Sequence, residues 1–117
     1  MNSLINPDKK VRVSYFISQA ILLDLKDNMI KNGYDLKGKS KWVSEAICDL
    51  LALQNFRDLV AINDQMQGLE KLDSLLIDKE LKGKLAEAVI NVRKFYPGLD
   101  GVQSKIVRTA IVQRLLR

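Results

Sequence analysis

Apolar positions along this chain change period in a fixed order, and then do so again. Across residues 11–17 they alternate: Val11, Val13, Tyr15 and Ile17 fall on one face, and Arg12, Ser14 and Phe16 on the other. Alternation with β-branched and aromatic enrichment predicts a half-buried strand. From Ser18 the spacing becomes helical. Ile21, Leu22, Leu25 and Met29 share a face, Ser18 stands where a helix is capped, and Gly33 stands where one is closed. A loop over residues 34–39 leads to a second helix with Trp42, Val43, Ala46, Ile47, Leu50 and Leu51 as its apolar stripe.

The same script recurs downstream. Residues 72–77 are the second strand candidate, Asp78 takes the place of Ser18, and Leu81, Leu85 and Val89 match Ile21, Leu25 and Met29 at an offset of 60. Ser40-Lys41-Trp42-Val43-Ser44-Glu45-Ala46-Ile47 then returns as Ser104-Lys105-Ile106-Val107-Arg108-Thr109-Ala110-Ile111, at an offset of 64. The four extra residues amount to about one helical turn and are expected at 92–95, before Pro97-Gly98. The last helix is expected from about residue 101 onward, with Val107, Ala110, Ile111 and Leu115 inward. Between the copies, residues 54–70 carry Phe56, Leu59, Val60, Ile62, Met66 and Leu69, so this linker is expected to pack and to be partly helical, with Gly68 breaking it.

A single strand followed by two helices leaves backbone groups unpaired along both strand edges. Two copies resolve this by pairing their strands into an antiparallel ribbon over four helices. The expected fold class is therefore mostly α with a short two-stranded antiparallel β-ribbon.

Composition narrows the chemistry. Hydrophobic residues make up 47% and charged residues 28%, the balance of a globular chain. The net charge of +5 suits a nucleic acid or an acidic surface without selecting between them. Residues 71–117 hold 10 Lys/Arg against 5 Asp/Glu, and residues 1–53 hold 8 against 6, so the excess leans toward the C-terminal half. Cys48 is the only cysteine, which rules out a disulfide within the chain; it is expected to pack as a small hydrophobe. With no histidine, imidazole acid–base chemistry and histidine metal sites are excluded. No phosphate-binding glycine loop or nucleophile elbow occurs, and the carboxylates do not converge, so neither catalysis nor a cofactor is expected. No apolar run is long enough to span a bilayer and the N-terminus lacks a signal-peptide core, so no membrane partner and a cytoplasmic location are expected.

Three segments, Lys9-Lys10-Val11-Arg12-Val13-Ser14-Tyr15-Phe16-Ile17-Ser18, the Ile21/Leu25/Met29 helix and Gly38-Lys39-Ser40-Lys41-Trp42-Val43-Ser44-Glu45-Ala46-Ile47, resemble the ribbon-helix-helix DNA-binding family, of the Arc and MetJ type. Most members are homodimers of chains about half this length; this one resembles the fused tandem form, some members of which accompany DNA transfer. The resemblance implies a single-chain pseudo-dimer, β-α-α repeated twice. Residues 1–9 would be a flexible arm, 10–53 the first repeat, 54–70 the linker and 71–117 the second repeat. It also implies double-stranded DNA as partner, further copies of the chain on that DNA, and a protein partner in a DNA-processing complex.

In that fold the ribbon enters the major groove. Arg12, Ser14, Phe16 and Ser74 are then the expected base-reading residues: Arg12 can donate twice to guanine, Ser14 can donate or accept, and Phe16 can meet a thymine methyl. Lys10, Lys37, Lys39, Ser40 and Lys41, with Gln103, Ser104 and Lys105 in the second copy, are the expected phosphate contacts, clustered mainly where helix N-termini present unpaired N–H groups. Helix capping by the two serines and plain solvation of the lysines are the competing readings. The second strand departs from the first, since its outward residues are Leu72, Ser74 and Leu76 with no basic side chain. A helical protein-interaction module without DNA readout, antitoxin-like or an assembly factor, is the alternative from another functional class. An obligate dimer in which each repeat pairs with its copy is the alternative architecture.

Overall fold

A computed structural model of the protein describes residues 9–35, 37–62 and 70–117. Most of the expected N-terminal arm and the latter part of the linker, including Met66, Gly68 and Leu69, lie outside these residues. The described elements are β1 (Lys10–Ser18), α1 (Gln19–Lys31), α2 (Lys39–Leu51), α3 (Phe56–Ile62), β2 (Glu70–Asp78), α4 (Lys79–Phe95) and α5 (Val102–Leu115). The molecule is mostly helical, with one two-stranded antiparallel sheet of β1 and β2.

Alternation sets the faces of that sheet. Val13, Tyr15 and Ile17 on β1 and Leu75 and Ile77 on β2 are buried, while Arg12, Ser14 and Phe16 face out. The register pairs Val13 with Leu75 and Tyr15 with Asp73 on the inner face, and Ser14 with Ser74 on the outer face. Each strand passes straight into a helix. Ser18 accepts from the Ile21 amide and Asp78 from the Leu81 amide, satisfying first-turn donors at the strand ends. At the far end of α1, Gly33 takes φ +83°. The amide of Gly33 then reaches the Ile30 carbonyl and that of Tyr34 the Met29 carbonyl, a Schellman closure. Helix α4 has 17 residues against 13 in α1, so the inserted turn lengthens this helix.

Helices α2 and α5 pack on each other at the centre, and their attachment to the sheet is crossed: α5 lies against β1 and α2 against β2. Helix α3 docks on α4 and α5 through Val60, which is fully buried. Two expectations change. Helix α5 is enclosed on more sides than its apolar stripe suggested, with Val102, Ile106, Arg108 and Thr109 buried as well and Leu115 only half-buried. The reason is that four other helices and β1 all touch it. Cys48 is exposed rather than packed. At about 100° per residue it falls opposite the stripe of Val43, Ala46, Ile47 and Leu50.

Candidate nucleic-acid interface

Edge hydrogen bonds determine how the outer-face side chains pair across the ribbon. The Phe16 amide donates to Ser104 Oγ (3.1 Å) and the Leu76 amide to Ser40 Oγ (3.0 Å). Even-numbered residues of both strands therefore turn their backbone groups away from the partner strand. Their facing pairs, Arg12/Leu76, Ser14/Ser74 and Phe16/Leu72, belong to the close class, with Cα atoms about 4.5 Å apart. Arg12, Ser14, Phe16, Leu72 and Leu76 are exposed and Ser74 is half-buried, so the four expected base-reading residues lie on one surface. Arg12 is also oriented: one guanidinium nitrogen donates to Ser74 Oγ at 2.9 Å, across the ribbon.

The N-termini of α2 and α5 flank this face. Gly38 and Gly101 occupy the N-cap positions and neither helix has a side-chain cap, so Ser40 and Ser104 do not cap their own helices. Each instead accepts a strand-edge N–H and keeps a hydroxyl proton that can be donated outward. Gly101 reaches the tight turn before α5 with φ +58°, a left-handed conformation that glycine adopts without strain. The first-turn N–H groups of both helices have no partner within their helix, and the helix dipole adds positive potential there.

The remaining expected phosphate contacts divide into outward and engaged groups. Lys10 is exposed at the start of the ribbon, opposite Asp78; Lys37 is exposed in the loop before α2, and Lys41 on the first turn of α2. Lys105 is half-buried on the first turn of α5. Lys39 turns inward, its ammonium 2.8 and 3.0 Å from the two Asp73 oxygens. The Tyr15 hydroxyl donates to the same carboxylate at 2.7 Å. Asp73 sits on the inner face, where burial alone raises a carboxyl pKa. The hydrogen bonds from Lys39 and Tyr15 more than offset this and hold it below the usual carboxylate range. Burial, reinforced by Asp73, pushes the Tyr15 phenol well up. Gln103 is engaged too, its amide donating to the Ser14 carbonyl at 2.9 Å and its oxygen accepting from Lys82 at 3.3 Å.

Arg108 is a residue that sequence reasoning missed. It is buried and donates to the Phe16 carbonyl at 2.7 Å. With Ser104 and Gln103 it makes α5 grip the edge of β1 at three backbone groups. The signal was present as a charged residue within the apolar run Ile106-Val107-Arg108-Thr109-Ala110, at the position equivalent to Ser44. Trp42 is fully buried, donates to Asn28 Oδ1 at 3.2 Å and is covered by the Arg114 guanidinium 4.5 Å from its ring. Arg114 also donates to the Trp42 carbonyl, Glu45 and the Tyr34 hydroxyl, clamping the end of α5 to α2.

Among the described residues no cluster of metal-ligating side chains occurs, and no helix is long and apolar enough to cross a membrane. Comparison with protein-family models, with curated proteins and with solved structures finds no match.

Proposed function

We propose that the chain is a sequence-preferring double-stranded DNA-binding protein, a single-chain pseudo-dimer of two ribbon-helix-helix repeats. It lays the outer face of β1/β2 in the major groove and holds phosphates with the N-termini of α2 and α5. The reciprocal pair of hydrogen bonds, Phe16 to Ser104 and Leu76 to Ser40, carries this reading. It sets one helix N-terminus flush against each edge of an exposed ribbon. A major groove about 12 Å wide accepts a two-stranded ribbon, and its walls are phosphate backbones. An object with a reading face and an anion-attracting helix end on either side is complementary to that shape. Lys10, Lys37 and Lys41 supply outward charge around it. By resemblance, the role is that of a transcriptional repressor or an accessory factor in plasmid or transfer-DNA processing. A titration of duplex DNA at rising salt tests the reading. Affinity should fall steeply and log-linearly with salt, and affinity indifferent to salt would contradict phosphate holding.

One observation favours a second reading. Phe16, Leu72 and Leu76 are 46%, 59% and 43% exposed on the same face, an apolar surface that suits a protein partner. A protein-interaction module would retain such a partner and leave duplex DNA unshifted in a gel.

A further inference from the structure

The outer face of the ribbon is chemically polar along its length. Ser14 and Ser74 are equivalent under the 60-residue offset and are also paired with each other, so the pseudo-dyad of the ribbon passes between them. Arg12 and Leu72 are equivalent as well, and the dyad therefore carries one onto the place of the other. Phe16 and Leu76 are related in the same way. The register puts Arg12 beside Leu76 at one end and Phe16 beside Leu72 at the other. One end presents a guanidinium already steadied by Ser74; the other presents a phenyl ring and an isobutyl group with no hydrogen-bonding atom.

We infer that the protein reads a non-palindromic site, with guanine under the Arg12/Leu76 end and thymine under the Phe16/Leu72 end at the dyad-related base pairs. This rests on the DNA-binding reading above and deepens it. In the major groove guanine offers N7 and O6 to a guanidinium fork, and the one apolar feature of any base edge is the thymine C5-methyl. Phe16 and Leu72 form a close cross-strand pair, so their side chains make one continuous apolar pad of a size to cover such methyls. A guanine or cytosine under that pad would lose water from its polar edge and gain no partner, so the pad rejects as well as attracts. Arg12 and Phe16 are four residues apart, about 14 Å along the ribbon, so both ends act within one turn of duplex. The two ends therefore also define the direction in which the protein sits.

The experiment is selection of bound duplexes from a random pool by the full chain, followed by affinities for the selected site and its altered forms. The expected consensus has no dyad. Replacing the thymine side by a mirror copy of the guanine side should weaken binding at least about fivefold per base pair changed. Uracil in place of thymine there should cost about fourfold per methyl removed. Phe16→Ala and Leu72→Ala should erase that uracil penalty. Leu72→Arg, at an exposed position, should shift preference toward the palindrome. A palindromic consensus from the natural chain would overturn the inference and leave the DNA-binding reading standing. No retention of any duplex at low salt would overturn both. Unchanged affinity and an unchanged uracil penalty in Phe16→Ala and Leu72→Ala would show that the pad does not read the thymine methyls and would overturn the inference alone.

Discussion

The Phe16 amide and the Ser104 hydroxyl meet at 3.1 Å although 88 residues separate them, and the Leu76 amide meets Ser40 in the same manner from the other edge. Strand β1 is thus tied to α5 and β2 to α2. Ser40→Ala and Ser104→Ala each remove the acceptor of an edge N–H at a partly wet position. Each should cost about 0.5–1 kcal/mol, or about 3–6 °C in melting temperature. Thermal denaturation followed by circular dichroism checks this, and two unchanged melting curves would show that the edges are held by packing alone.

Asp73 gives the stability a pH dependence of known sign. Its folded-state pKa is depressed, so its contribution is complete above the unfolded value of about 4 and is lost as pH falls through the lower folded value. Glu45 is depressed as well, chiefly by the Tyr34 hydroxyl, and acts in the same direction. Asp73→Asn should therefore lower stability at pH 7, leaving Lys39 and Tyr15 poorly matched, and should flatten part of the decline below pH ~4. Urea midpoints measured from pH 3 to pH 7 on both proteins decide it; parallel curves would mean that Asp73 titrates as it does unfolded.

Arg12 and Lys41 should separate in their effect on DNA. Arg12→Ala should relax sequence preference by about 1–3 kcal/mol at one base pair. Lys41→Ala should weaken all duplexes alike and reduce the salt slope by about one. Identical behaviour of the two variants would undo the division of roles between ribbon and helix end.

Helix α3 is part of the packed body, since Val60 has no exposed surface. Val60→Ala removes about two methylene equivalents from that contact and should cost roughly 2 kcal/mol in chemical denaturation. A change within 0.5 kcal/mol would mark α3 as a loosely attached strap.

Both strands of the ribbon come from one chain, so sedimentation at low micromolar concentration without DNA should give a folded monomer. An obligate dimer would instead dissociate and unfold together on dilution.

Much of the ribbon's outer face was legible in the sequence. Arg12, Ser14 and Phe16 were assigned to the outward face because a strand buried on one side must alternate. Leu72, Ser74 and Leu76 followed by the 60-residue offset. The turn added between the copies was visible as a change of offset and appears as the longer α4. What was not legible concerns pairs distant in sequence. Lys39 reads as one of several lysines at a helix start, yet it is drawn to Asp73, 34 residues away, because an acid on the inner face demands a counter-charge. Arg108 stands in the sequence only as a charge within an apolar run, and nothing local says that it reaches a carbonyl of β1.

The sequence by itself determined the kind of each element and the face it would bury. Side-chain period follows from local backbone geometry, two residues in a strand and 3.6 in a helix. Only the tertiary structure decided which polar groups are engaged inside and which are left outward. It turned Lys39, Gln103 and Arg108 to internal partners and left Lys10, Arg12, Lys37 and Lys41 around the exposed ribbon. The physical reason is that a hydrogen bond or ion pair requires atoms about 3 Å apart. The crossed packing of α2 on β2 and α5 on β1 sets those distances, and no local pattern encodes them.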